Sequence, residues 1–254
     1  MEQASWEPLA PGCQVLVTRE HGFSTDTLLL AAFSQPRRGE RCADLGTGCG
    51  TIPLLWRARG EPGPILAVEL QPQAAEQARR SVERSGYNGH IQVVEGDVRD
   101  YKALLPCQGL DRVACNPPYT LPGAGAASPD PQRRAARQGD CFSLEDLAQA
   151  ARYSLKHRGR LCLCLPVRRL AEALALFSRW DLEPKLLRLV QQRRDKAPYL
   201  FLLECRRGGR PGGLEAAPTL LLEEDGGGPT RELLEVYGSY RDNAGWKTRG
   251  EQAP

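Results

Sequence analysis

Short, continuous apolar runs alternate along this chain with stretches whose apolar positions recur at helical spacing. That pattern predicts an α/β fold with a mostly parallel sheet, covered by helices on both faces. Seven runs read as sheet strands: Cys42 to Leu45, Ile65 to Glu69, Ile91 to Val94, Arg112 to Cys115, Arg160 to Leu165, Lys185 to Val190 and Tyr199 to Glu204. Between them the expected helices run from Ile52 to Arg59, Pro72 to about Ser85, Ser143 to about His157 and Val167 to Arg179. Pro53 is tolerated in a first turn, Gly86 stops the second helix, and Ser143 with Asp146 caps the third in the Ser-x-x-Asp pattern. The last two strands are joined by Gln191 to Pro198, too short for a helical crossover, so the final strand is expected to be antiparallel.

Three segments follow from this layout. Residues 1–38 form a small extension with a short strand at Val15-Leu16-Val17 and a polar cap, Ser24-Thr25-Asp26-Thr27, before the helical run Leu28 to Phe33. Residues 39–207 carry the main domain. Residues 208–254 hold two Gly-rich stretches around Thr219-Leu220-Leu221-Leu222-Glu223, a short helix from Thr230 to Tyr237, and a tail from Arg241 expected to be disordered.

The candidate chemistry sits at the ends of the strands. Asp44-Leu45-Gly46-Thr47-Gly48-Cys49-Gly50 is a strand running into a glycine loop and then a helix, as at a nucleotide-cofactor site. Its G-x-G-x-G spacing departs from the G-x-G-x-x-G of a pyrophosphate loop, which favours a cofactor without phosphates, approached closely by an amino-acid moiety. Glu69 closes the next strand about 20 residues on, where a carboxylate accepts from both hydroxyls of a ribose. Asp97 follows the third strand, placed to accept from an adenine amine. The fourth ends in Asn116-Pro117-Pro118-Tyr119. Two prolines supply no N–H donors and leave carbonyls pointing outward, and Asn116 adds a side-chain acceptor. Two acceptors with an aromatic ring beside them are what holding an exocyclic amine requires. In a sheet of this kind ligands bind beyond the strand C-termini at the topological switch point, so Gly46, Glu69, Asp97 and Asn116 are expected on one rim.

Charge adds a partner. The net charge of +3 conceals an imbalance: residues 131–210 hold 18 Lys and Arg against 8 Asp and Glu, leaving the rest of the chain acidic. A basic half points to a polyanion, with Arg133, Arg134 and Arg137 in a Gly- and Pro-rich loop and Arg193, Arg194 and Lys196 as contributors. The nine cysteines (13, 42, 49, 107, 115, 141, 162, 164, 205) contain no Cys-x-x-Cys pair, and they read as reduced core residues without a metal site. No long apolar run and no basic-then-apolar leader occur, which predicts a cytoplasmic protein, neither secreted nor membrane-spanning.

With these residues in view the chain resembles the Rossmann-like class I methyltransferases that use S-adenosylmethionine and carry an Asn-Pro-Pro-Tyr motif. Within them it is most similar to the bacterial tRNA1(Val) N6-adenine methyltransferases. The similarity runs from about His21 to Tyr237 and includes Gly22-Phe23-Ser24-Thr25-Asp26-Thr27-Leu28-Leu29, Ala136-Arg137 and Leu182-Glu183-Pro184-Lys185. It departs at Thr120 and Gln138, where that family usually has an aromatic residue and an Arg-His-Glu run. The resemblance implies a seven-stranded sheet with an antiparallel last strand, and a monomer or weak homodimer acting on tRNA. It further implies Phe23, Thr25, Asp26, Asp44, Gly46, Thr47, Gly48, Gly50, Glu69, Asp97, Val98 and Asn116 against the cofactor, with Asn116, Pro117 and Tyr119 at the target base. Two alternatives stay open at this point: methylation of a protein glutamine, whose amide nitrogen has the same delocalised lone pair, and RNA binding without catalysis.

Overall fold

Strands buried on both faces need apolar residues at successive positions, and the runs identified above meet that requirement. In the computed structural model, which describes residues 4–117 and 142–243, they assemble into one sheet. Its strands are β3 (Cys42–Leu45), β4 (Ile65–Glu69), β5 (Ile91–Glu95), β6 (Leu110–Cys115), β7 (Leu155–Pro166), β8 (Leu182–Gln191), β9 (Leu200–Arg207) and β10 (Glu215–Leu221). Their order across the sheet is β10-β8-β9-β7-β6-β3-β4-β5. The neighbours from β5 to β7 are parallel, and β9 is antiparallel to both β7 and β8, as its short connection requires.

Three features depart from expectation. The sheet has eight strands among the described residues rather than seven, because β10 pairs in parallel with β8 at the edge. The helix expected from Ser143 to His157 spans Leu144–Ser154, and Leu155 already opens β7, where it pairs with Leu110 of β6. In the N-terminal extension, Val15-Leu16-Val17 belongs to β2 (Cys13–Val17), which forms a hairpin with an unanticipated β1 (Ser5–Ala10).

Helices α1 (Thr25–Phe33), α2 (Thr51–Arg59) and α3 (Pro72–Arg84) share a core on one face of the sheet. On the other face lie the short α4 (Tyr101–Leu104), α5 (Leu144–Ser154) and α6 (Leu170–Arg179). Trp56 of α2 is fully buried, and its indole N–H donates to Ser34 Oγ at 3.2 Å, which in turn donates to Leu30 O at 2.6 Å. That chain of contacts fixes α1 against α2 and so places the residues before α1 at the C-terminal rim of the sheet. A last helix, α7 (Arg231–Tyr237), continues into a 3₁₀ turn over Gly238–Asn243 and packs against α1. Of the tail expected to be disordered, residues 244–254 lie outside the described residues.

Candidate active site

The strand order reverses at β3: the chain steps outward to β4 and β5, then returns to β6 on the other side. A crevice at the C-terminal ends of β3 and β6 is the consequence. Register decides what meets there. Asp44 pairs with Ala114 and with Ala67, so Gly46, Asn116 and Glu69 lie level with one another at the strand ends. Glu69 also pairs with Glu95, which brings Asp97 to the same rim. The four strand ends that the sequence singled out therefore converge.

Gly46 and Gly48 adopt φ of +75° and +56°, which turn the loop tightly at the end of β3. The ring of Phe142 lies 3.6 Å from where a Cβ at Gly46 would stand, so a side chain there meets that ring as well as backbone strain. Gly46 N–H and Thr47 N–H both donate to Val68 O, at 2.9 and 3.0 Å. Glu69 is buried and accepts from Gly48 N–H at 2.8 Å and Gln71 N–H at 2.9 Å, which ties the loop to the end of β4.

Asp44 is 1% exposed, and among the described residues neither of its oxygens, nor the buried Thr47 hydroxyl, has a partner within hydrogen-bond geometry. Burial pushes the Asp44 carboxyl up to about 7, with Thr47 lowering it and the neighbouring Glu69 charge raising it. Orphaned acceptors at this depth are rare in folded proteins and mark a place where a donor or a positive charge is received. Asp97 differs. The Arg99 side chain holds its carboxyl below the usual range, and Arg99 N–H donates to Oδ1 at 2.9 Å. Val98, beside it, is buried in a 3₁₀ turn.

Asn116 is held from two sides. Its Nδ2 donates to Thr27 Oγ1 of α1 at 3.1 Å, and Cys164 Sγ of β7 donates to its Oδ1 at 3.0 Å. Neither partner was anticipated, although the pairing of Cys115 with Leu163 places Cys164 level with Asn116. Pro117 is buried beside it. The lead-in to α1 is fixed in turn. Thr25 Oγ1 lies 2.6 Å from the Tyr237 hydroxyl, and the Phe23 ring meets Tyr240 edge-on with centroids 5.0 Å apart. Tyr199, missed in the sequence, leaves 41% of its surface exposed at this rim. Partial burial, then Asp26, Tyr237 and Cys164, raise its hydroxyl above the usual phenol range.

Tyr119, Arg133, Arg134 and Arg137 lie outside the described residues. Arg193, Arg194 and Lys196 occupy the loop between β8 and β9, and all three are ion-paired: Arg193 with Asp195 and Glu223, Arg194 with Asp225, Lys196 with Asp195. Among the described residues no group of His, Cys, Asp and Glu is arranged to hold a metal, and no helix is long and apolar enough to cross a membrane.

Comparison with known proteins bears on this geometry. Residues 20–128 match the family model "Methyltransferase small domain". The chain is 34% identical over 185 residues to the tRNA1(Val) (adenine(37)-N6)-methyltransferase of Aeromonas salmonicida, covering 72% of this chain and 76% of that one. It is 32% identical over 204 residues to the enzyme of the same name from Tolumonas auensis, covering 79% and 82%. In fold it is similar to a predicted O-methyltransferase of Agrobacterium tumefaciens, with a TM-score of 0.67 at 24% identity, covering 85% of this chain and 96% of that one.

Proposed function

Since the chain belongs to the tRNA1(Val) (adenine(37)-N6)-methyltransferase family, we propose that it methylates the exocyclic N6 amine of the adenine beside the anticodon of tRNA, working in the cytoplasm. S-adenosylmethionine is the methyl donor, and when bound it supplies an electrophilic methyl group on a cationic sulfur. The residues present fit it. Its ammonium and sulfonium charges match a crevice in which the buried Asp44 carries two oxygens with no partner among the described residues. Glu69 is placed for the ribose hydroxyls, the Gly46 to Gly50 loop for the amino-acid end, and Asp97 with Val98 for the adenine. Thr47 offers a hydroxyl with no partner among the described residues, while Phe23, Thr25 and Asp26 cover the methionine end. Asp97 accepts a further donor while keeping Arg99, since an ionised carboxylate offers about four lone-pair sites.

The adenine N6 lone pair is delocalised into the ring and is a poor nucleophile. Asn116 Oδ1 and the Pro117 carbonyl accept hydrogen bonds from its two N–H groups, which would bias the nitrogen toward sp³ character and turn its lone pair toward the methyl donor. Positive charge developing on that nitrogen during transfer would be stabilised by these two acceptors, and the surplus proton would pass to solvent. Tyr119 stacks on the base, which is splayed from a single-stranded loop at less cost than from a duplex. The observation that carries this reading is the register placing Asn116 level with Gly46 and Glu69.

The test maps tritiated methyl groups onto total tRNA, total protein and DNA, followed by nucleoside analysis. Label in N6-methyladenine of tRNA is expected; label in protein glutamine, or none in any tRNA, overturns the reading. With saturating ligands, Asn116→Ala is expected to lower kcat on the order of a hundredfold while KM moves little, and Asn116→Asp to keep partial activity.

A further inference from the structure

We propose that Cys164 and Thr27 are positioning residues that decide which end of the Asn116 amide faces the transferred methyl, an inference that rests on the methyl-transfer reading above. The two ends of an asparagine amide are nearly the same size and opposite in character: the oxygen accepts, the nitrogen donates. Turned the wrong way, the amide would set its own N–H groups against those of the target amine. Nothing in the amide's shape prevents that.

Its surroundings do. Thr27 Oγ1 accepts from Nδ2 at 3.1 Å, while the Cys164 thiol donates to Oδ1 at 3.0 Å. Reversal would leave the NH2 against a sulfur, which is a weak acceptor. Both partners are rigidly mounted. Cys164 is fully buried in β7, paired to Leu202 of β9, and Thr27 sits in the first turn of α1, where its hydroxyl also accepts from Ser24 N–H at 3.4 Å. Neither residue touches the reacting atoms; each acts through Asn116.

The chain contains three asparagines, Asn88, Asn116 and Asn243, so selective 15N labelling yields three side-chain amide signals, and loss of one in Asn116→Asp assigns it. In the full-length protein, Cys164→Ala and Thr27→Val are expected to shift the Asn116 signal and speed its proton exchange. Cys164→Ser and Thr27→Ser should restore it. Single-turnover rates at saturating tRNA and S-adenosylmethionine should fall on the order of three- to tenfold in each of the first two variants, and be rescued by serine. Because both act on one amide, their combined loss should be less than the product of the separate losses. Cofactor affinity and melting temperature should stay near the parent values. An amide signal and turnover unchanged in both variants would overturn the proposal. So would a rate loss matched by loss of cofactor affinity or folding that serine does not rescue. If the amide responds as expected but the parent methylates no tRNA, the adenine reading fails while the orientation of Asn116 by these two residues stands.

Discussion

Asp44, the penultimate residue of β3, carries a carboxylate with no hydrogen-bond partner among the described residues and almost no contact with water. Its carboxyl, raised to about 7, keeps a proton in the ligand-free fold that the unfolded chain releases near pH 4. The sign follows from linkage. Between about pH 4 and 7 the native state binds more protons, so the ligand-free protein loses stability as pH rises through that window, and the cost is complete above pH 7. A cationic cofactor favours the ionised form and reverses the preference. S-adenosylmethionine affinity should therefore increase up to about pH 7, with close to one proton released per binding event at pH 6 and almost none at pH 8.5. Calorimetry in two buffers of different ionisation enthalpy measures that number. In Asp44→Asn the proton release should vanish, and the ligand-free protein should melt higher at pH 8 than the parent; retention of the parent's pH dependence would show that another group carries it. The sequence flagged Asp44 only through its motif, because its lack of partners is a property of depth. Thr27 and Cys164 were illegible for a related reason: they meet Asn116 across 89 and 48 residues of chain.

Local pattern carried most elements. β4 spans Ile65–Glu69 as read, and the Ser143/Asp146 cap is present, with Asp146 N–H donating to Ser143 Oγ at 3.1 Å and Ser143 N–H to Asp146 Oδ2 at 2.8 Å. The misread boundary lies at the other end of that helix. Lys156, His157 and Arg158 look like a polar helical turn, yet Leu155 pairs with β6 and its carbonyl accepts from the buried Arg207, so tertiary partners override propensity. β10 lies in the C-terminal segment that the sequence sets apart from the main domain, and its pairing with β8 depends on a neighbour reached only through the fold. The same dependence gives α7 its purpose. Its Tyr237 bonds Thr25 at 2.6 Å, and Tyr240 beyond it meets Phe23, so the C-terminal helix braces the lead-in that borders Asn116. Tyr237→Phe keeps the ring and removes the hydroxyl. It should cost about 0.5–1.5 kcal/mol in denaturant unfolding and speed amide exchange over residues 23–27. Unchanged exchange there would mean the helix is packed on the lead-in without restraining it.

Across the molecule, the basic excess of residues 131–210 is less available than a count implies. At the rim, the loop between β8 and β9 sets Arg193, Arg194 and Lys196 against Asp195, Glu223 and Asp225. Exposed pairs of this kind contribute little to stability, so a phosphate can displace the carboxylates at small cost. If RNA phosphates approach this loop, the carboxylates would act on them rather than on the fold, competing with phosphate and repelling it. Two opposite responses follow. Arg194→Glu should weaken tRNA binding and reduce the steepness of its salt dependence, because each phosphate contact contributes a slope of about 0.7–0.9 through counterion release. Asp225→Asn, which removes the Arg194 partner, should instead tighten tRNA binding at low salt and leave melting temperature unchanged. Filter binding over a salt series distinguishes these outcomes. If Asp225→Asn and Arg194→Glu both leave the affinity and slope of the parent, this loop does not face the RNA, and the basic surface that does must be carried elsewhere on the chain.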